Sequence, residues 1–241
     1  MPLVRRSNVA THRALPLSST VVAFALLLAP AASATTISIP VGAFGPGSTL
    51  TTFSGLPDGT LVNGLTVDGI LFQYSRGAGC EMPSPPCGGN LVIANLLGTT
   101  NNLNPPSAIA VVGVAGNPTV TLTFPSLLDA FGYGFLVGST TTVPNVTTVT
   151  LFSGATSVGS LSFNGAPDPV STGGFAGIQS TIPFDSAQIT FSPHFGLIAL
   201  DNLRTIPSST AAVPEPGTVL LVAAGVFMAT RWRRNRGSQF R

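Results

Sequence analysis

The chain has 241 residues, of which 27 are glycine and 21 are proline, and only 7% are charged. Its formal charge is +2, but eight of its ten arginines lie in the first 13 and the last 11 residues. Between residues 35 and 213, two arginines stand against seven carboxylates, a formal charge of −5. This central part lacks the basic patch that nucleic acids require, so we expect no nucleic acid partner.

The N-terminal segment has the three parts of a secretory signal peptide: a basic start, an apolar stretch at 21–29 and an A-x-A cleavage motif. The basic residues are Arg5, Arg6 and Arg13, and the motif is formed by Ala32 and Ala34 around Ser33. We predict that residues 1–34 are a signal peptide, removed by signal peptidase after Ala34. The alternative is an uncleaved N-terminal anchor.

Cys80 and Cys87 enclose a proline-rich hexapeptide. In an exported protein, such a pair favours a disulfide, and closing so short a loop stabilises the fold by about 2–3 kcal/mol. Two free thiols are the alternative. The spacing disfavours a metal site, and the only histidine of the central part, His194, lies far along the chain.

Apolar and hydroxyl residues alternate with a period of two through most of the central part, a pattern typical of half-buried strands. The segments that show it are 70–74, 119–124, 131–137, 148–153, 160–163 and 189–192. Turn dipeptides separate the segments, namely Asp58-Gly59, Asn63-Gly64, Asp68-Gly69 and Asn164-Gly165. The sequence therefore predicts an all-β, antiparallel two-sheet sandwich over 35–206, followed by a flexible linker over 207–212.

Residues able to support catalysis are scarce in this central part. His194 has no nucleophile elbow to work with, because no G-x-S-x-G motif occurs, and no spacing singles out a carboxylate pair. We therefore predict no catalytic site, while leaving a carboxylate pair of the glycosidase kind open. Tyr74 and Tyr133 fall on apolar faces and are expected in the core, so no aromatic platform for sugars is visible.

A structural Ca²⁺ site is the one cofactor that the residues suggest. Asp201 and Asn202 at a strand end, together with Asp58 or Asp68 near a turn, offer the oxygen ligands that Ca²⁺ prefers. The alternative is that these residues serve only as turn formers and as a carboxylate at the rim of the sheet.

The last 29 residues have three parts in a fixed order. A turn motif comes first, then an apolar run at 218–230, then a basic cluster. The motif is Val213, Pro214, Glu215 and Pro216, and the cluster is Arg231, Arg233, Arg234 and Arg236. We predict a short transmembrane helix at about 218–232 with the arginines on the cytoplasmic side. An ordinary C-terminal membrane anchor is the alternative.

This order of parts over 213–241 resembles the PEP-CTERM sorting signal of bacterial exported proteins, which is also described as an ice-binding protein C-terminal domain. The resemblance implies recognition by an exosortase, a transpeptidase-like membrane enzyme that cuts near the Pro-Glu-Pro motif. It also implies an envelope of the Gram-negative type, often with exopolysaccharide. Residues 131–204 resemble in addition the jelly-roll bodies often joined to this tail, whose last strand ends in Asp-Asn, as Asp201-Asn202 does here.

The sequence thus predicts an exported, non-enzymatic protein of the envelope, cell surface or matrix with a structural or adhesive role. Its predicted partners are signal peptidase, an exosortase and, transiently, the membrane. A carbohydrate-binding module that holds exopolysaccharide, with structural Ca²⁺, is the alternative, and a glycoside hydrolase is the third reading.

Overall fold

Two long strands organise the fold, and both cross from one half of the protein to the other. The computed structural model describes residues 34–76, 90–95, 100–110, 117–169, 171–193 and 195–209. Its strands are β1 (Thr36–Ser38), β2 (Thr49–Thr51), β3 (Thr66–Val67), β4 (Ile70–Ser75), β5 (Val92–Ala94), β6 (Ser107–Ala110), β7 (Thr119–Val137), β8 (Val143–Ser153), β9 (Thr156–Asp168), β10 (Ser171–Phe191) and β11 (Ile198–Pro207). A single 3-10 turn is described, at Val41–Ala43.

All described pairings are antiparallel, and the strand order is β5-β6-β11-β7-β10-β8-β9, with β4 beside β7. Strand β10 changes register against β7 between Gln179 and Ser186. On one side of this irregularity, residues 119–123 of β7 and 186–191 of β10 join β4, β8 and β9 in a first half-sheet. On the other side, the remaining parts of β7 and β10 join β11, β6 and β5 in a second half-sheet. Such irregularities let a strand turn the corner between two packed sheets.

The apolar faces of the two half-sheets form one core. Val120 and Leu122 of the first half-sheet and Phe131 and Phe135 of the second are fully buried in the same cluster. The aromatic rings of Phe131 and Tyr133 stack with their centroids 5.6 Å apart. Tyr133 also reaches across to the first half-sheet, where its hydroxyl lies 2.6 Å from that of Thr147 in β8. The predicted sandwich is therefore confirmed, and so is the burial of Tyr133.

The second half-sheet is covered on its outer face as well. Leu136 packs there with Leu103 and Ile109, and Ala130 packs with Ile39 and Phe44. Since both faces are buried, residues 130–137 of β7 are all buried, and the alternation that marks the rest of the strand is lost there. Segments from elsewhere in the chain must therefore lie on this face, and they determine where the buried polar groups are.

Most of the predicted strands and turns are confirmed, although the structure joins several segments into longer strands. The segments 119–124 and 131–137 form one strand, β7. One prediction was wrong: Asn164-Gly165 is not a turn, because both residues lie inside β9, where Gly165 pairs with Val143. The side chain of Asn164 accepts the backbone N–H of Asn145, so its polar group pairs with a neighbouring strand.

The end of the sandwich runs slightly beyond residue 206. Pro207 is the last residue of β11, and the N–H of Ser208 donates to the carbonyl of Leu127 at 2.9 Å. The N–H of Ser209 donates to the carboxylate of Asp129 at 3.3 Å. None of the described segments contains a helix with the length and apolar character needed to span a bilayer.

Candidate functional site

Asp201 and Asn202, the residues predicted to hold Ca²⁺, lie at an irregularity of β11. The register against β7 shifts between Asp201 and Arg204, and Asn202 has a positive φ of 52°. Asparagine tolerates this left-handed conformation better than most residues do. The shift changes the direction of the Asn202 side chain, and its amide group donates to the carbonyl of Asn102 at 2.8 Å.

The Asp201 carboxylate is fully buried beneath the segment that connects β5 and β6. Its Oδ2 accepts the backbone N–H of Asn104 at 3.0 Å and the hydroxyl of Ser107 at 3.4 Å. Its Oδ1 has no hydrogen-bond partner among the described residues. Burial raises the pKa of Asp201 to about 6, and nearby N–H and O–H donors, first among them the N–H of Asn202, offset part of that rise.

A second buried carboxylate, Asp168 at the end of β9, holds the other side of the same segment. Its Oδ1 accepts the N–H of Asn101 at 2.9 Å, and its Oδ2 accepts the side-chain amide of Asn102 at 3.1 Å. Within the segment, the hydroxyl of Thr100 accepts the N–H of Leu103 at 3.0 Å. We call residues 100–107 the asparagine loop; it is fixed to the outer face of the second half-sheet by Asp168 and Asp201.

Gly134 of β7 allows this close approach. A Cβ at Gly134 would lie only 2.0 Å from the carbonyl oxygen of Asn102, which is closer than any side chain permits. Glycine is therefore needed at this position for packing, because the asparagine loop lies directly on the backbone of β7. The same carbonyl accepts the amide of Asn202, so that β7, β11 and the loop meet at Asn102.

The chemistry of this cluster is that of an internal hydrogen-bond network. A buried carboxylate with a raised pKa is the usual mark of a general acid, but the groups facing Asp201 Oδ2 are donors from the protein itself. Within the described ranges, no three side chains of the types His, Cys, Asp and Glu come together to hold a metal ion. Asp58 accepts the N–H of Asn95, and Asp68 occupies the β3–β4 turn with a φ of 49°. The proposed calcium ligands thus lie in different hydrogen-bonded settings.

The outer face of the first half-sheet carries a regular array of hydroxyl and amide side chains. Antiparallel pairing aligns them in two rows across five strands. One row is Ser75, Thr119, Thr190, Thr148 and Ser162, and the other is Gln73, Thr121, Gln188, Thr150 and Ser160. We call these ten residues the polar face. Their side chains are half-buried on β7, β10 and β8 and exposed on β4 and β9.

Neighbouring hydroxyls of the polar face pair across the strands. The hydroxyl oxygens of Thr148 and Ser162 are 2.8 Å apart, and those of Thr150 and Ser160 are 3.0 Å apart. Next to these rows, the register places Leu71, Thr123, Ser186 and Phe152 in a third row on the same face. Leu71 and Phe152 are half-buried, and neither packs against the sandwich core. The face therefore combines hydroxyl groups with two apolar side chains, one of them aromatic.

Some of this site was not predicted from the sequence. The asparagine loop has a visible signal in its run of asparagines and prolines, but nothing in the sequence tells which carboxylates hold it. The outward hydroxyls were predicted strand by strand, whereas their alignment into rows depends on register. The sequence does not mark Phe152 as an outward aromatic residue, because it lies near the end of β8, where the alternation of apolar and hydroxyl residues continues only as far as Leu151.

Several predicted sites lie outside the described residues. They are the cleavage residue Ala32, the Cys80–Cys87 pair, His194, the motif from Val213 to Pro216 and the arginine cluster from Arg231 to Arg236. The other cleavage residue, Ala34, is the first described residue. The corresponding assignments therefore remain predictions from the sequence.

Solved structures similar to this chain include carbohydrate-binding modules. A mutant of a family 29 carbohydrate-binding module has 11% identity and a TM-score of 0.38, covering 70% of this chain and 98% of the other. Another family 29 module has 12% identity and a TM-score of 0.35, covering 67% and 90%. The catalytic domain of a GH87 α-1,3-glucanase in complex with nigerose has 17% identity and a TM-score of 0.29, covering 49% and 28%. Similarities at these TM-scores establish neither a ligand nor an activity for this chain.

No curated protein matches the chain. Residues 212–235, however, match the family model of the PEP-CTERM protein-sorting motif. The match covers the turn motif, the apolar run and most of the arginine cluster, in the order that the sequence shows. The chain therefore carries a PEP-CTERM protein-sorting motif, which indicates a protein exported to the cell envelope or surface.

Proposed function

We propose that this protein is a non-enzymatic component of the cell envelope or extracellular matrix, delivered by exosortase sorting, with a structural or adhesive role. The sorting motif at 212–235 is the observation that carries the proposal. The body supports it, since both carboxylate oxygens of Asp168 and Oδ2 of Asp201 accept hydrogen bonds that hold a loop in place. In this proposal, signal peptidase removes residues 1–34, and the C-terminal helix crosses the membrane only until the exosortase acts.

Replacing Pro214, Glu215 and Pro216 with alanine tests the sorting step. We expect the variant to accumulate in the membrane fraction at its unprocessed mass, because the enzyme would lack its recognition motif. The measurement is cell fractionation followed by mass spectrometry of the intact protein. Alanines at residues 208–210, outside the motif, form the matched control and should leave processing normal. Normal processing of the first variant would refute exosortase sorting.

A carbohydrate-binding role is the second candidate, and the polar face is the observation that favours it. Sugars present hydroxyl groups at their edges and apolar C–H groups on their ring faces. The polar face offers matching groups, with hydroxyl pairs such as Thr148–Ser162 beside the half-buried Phe152. If structural Ca²⁺ at Asp201 and Asn202 supports this binding, a chelator should weaken it, and unchanged binding in the chelator would count against the ion.

A further inference from the structure

We propose that the polar face binds a neutral polysaccharide chain laid across the strands of the first half-sheet, with Phe152 packing against a sugar ring. This inference rests on the carbohydrate-binding candidate and adds to it a location, a ligand charge and the contacting residues. Three features of the surface support this inference: it has no ionisable side chain, its hydroxyl and amide groups repeat from strand to strand, and a row with two apolar side chains lies beside them.

The charge of the surface points to an uncharged partner. None of the ten residues of the polar face is ionisable. Two charged groups beside it make hydrogen bonds within the protein: the guanidinium of Arg76 donates to Asn90 at 2.9 Å, and Asp185 accepts the N–H of Gly154 at 3.0 Å. An acidic polysaccharide would find no cation on the face and would be repelled by a body of formal charge −5.

The spacing of the surface suits a chain with repeating hydroxyl groups. Adjacent strands lie about 4.8 Å apart, so each five-strand row presents polar groups at regular intervals over roughly 19 Å. A hydroxyl oxygen can donate one hydrogen bond and accept two, so the pairs Thr148–Ser162 and Thr150–Ser160 do not use all of their acceptor capacity on each other. An extended polymer of several sugar units can use many of these groups at once.

The third row, which contains Leu71 and Phe152, supplies an apolar contact. A sugar ring can use this contact, whereas the water that hydrates a polar surface cannot. Leu71 and Phe152 lie on β4 and β8, three strand spacings or about 14 Å apart. Neither belongs to the sandwich core, so a ligand ring that covers Phe152 would remove apolar area from water without disturbing the fold. Aromatic rings are the usual side chains that carry such contacts because they are large and rigid.

The test uses the full chain, purified in detergent, and measures its binding to mannan, to β-1,3-glucan, to dextran and to the acidic polymer alginate. We expect binding to at least one neutral polymer and none to alginate. Phe152→Ala should weaken that binding about tenfold, or about 1.4 kcal/mol, because the ring can no longer bury apolar area against the sugar. The double change Thr121→Val and Thr150→Val, which keeps the side-chain shape but removes two hydroxyls, should weaken it by a similar factor.

The matched controls are Leu50→Ala and Thr49→Val on β2, where both side chains are exposed away from the polar face. They should bind like the unchanged protein, and circular dichroism should show all variants folded.

No binding to any neutral polymer, preferential binding to alginate, or equal affinity in the Phe152 variant would overturn the proposal. Self-association that the polar-face variants abolish, without sugar binding, would assign the surface to a second copy instead. If the protein is sorted correctly but binds no sugar, only the carbohydrate-binding proposal fails. If it binds sugar but is not sorted correctly, only the sorting proposal fails.

Discussion

Asp201 couples the stability of the fold to pH. Its pKa is raised from the usual 3.8 to about 6 because burial disfavours the charged form. The folded state therefore holds the proton more tightly than the unfolded chain does. The resulting stabilisation is complete below pH 3.8 and is lost as the pH rises to about 6. A difference of about two pKa units corresponds to roughly 3 kcal/mol.

Asp201→Asn tests this coupling, since asparagine keeps the shape of the side chain and cannot ionise. We expect the free energy of unfolding of the unchanged protein to fall between pH 4 and pH 7, and this fall to be reduced by about 3 kcal/mol in the variant. Denaturant titrations at several pH values provide the measurement. Asp68→Asn in the exposed β3–β4 turn is the control and should keep the fall. Equal pH dependence in the two variants would show that Asp201 is not the responsible group.

At the scale of the elements, β7 joins the two half-sheets and also carries the asparagine loop. Its alternating part, residues 119–124, faces the core on one side and the polar face on the other. Its second part, residues 130–137, is buried on both faces because the asparagine loop and the segment around Phe44 lie against it. One strand thus has the patterns of a half-buried and of a fully buried strand, and the change between them lies at the bend.

Gly134→Ala should loosen the asparagine loop. The added Cβ would lie 2.0 Å from the carbonyl oxygen of Asn102, so the loop must move away from β7 and weaken its hydrogen bonds to Asp168 and Asp201. We expect the free energy of unfolding to fall by roughly 1–3 kcal/mol, as in other overpacked sites. Gly196→Ala, where a Cβ meets nothing within 4 Å, is the control. Faster hydrogen exchange at the N–H of Asn104 should accompany the fall, and an unchanged exchange rate would contradict the close packing.

At the scale of the whole molecule, the chain combines a sorting motif at 212–235 with a β-sandwich body built around an apolar core. Few charges are available for stabilisation: between residues 35 and 213 only two arginines can pair with carboxylates. Export to an oxidising compartment makes a disulfide between Cys80 and Cys87 the natural addition. Such a bond would restrain a segment rich in proline that has little apolar surface to bury.

We expect reduction of the mature protein to add the mass of the two hydrogens that a cleaved disulfide takes up. Mass spectrometry of the intact protein under denaturing conditions, before and after reduction, provides the measurement. Cys87→Ser leaves a single thiol and should show no such intramolecular change. An unchanged mass on reduction of the natural protein would mean that the cysteines are free.

Local patterns in the sequence by themselves determined the sorting motif and the sandwich class. The three-part tail and the period-two alternation of segments such as 119–124 involve only neighbouring residues. They can therefore be recognised without knowing which strands pair. The sequence also singled out Asp201 and Asn202, as candidate ion ligands, and that role stays a prediction.

Only the tertiary structure decided which distant residues meet. The carboxylate of Asp201 accepts the N–H of Asn104, 97 positions away in the chain. Burial of this carboxylate raises its pKa, and the N–H of Asn104 is one of the donors that offset part of the rise. Strand register likewise decided that separate hydroxyls form rows and that Phe152 lies beside them. Register depends on pairing between strands far apart in sequence and on the bends in β7 and β10, and neither is encoded in the alternation of a single strand.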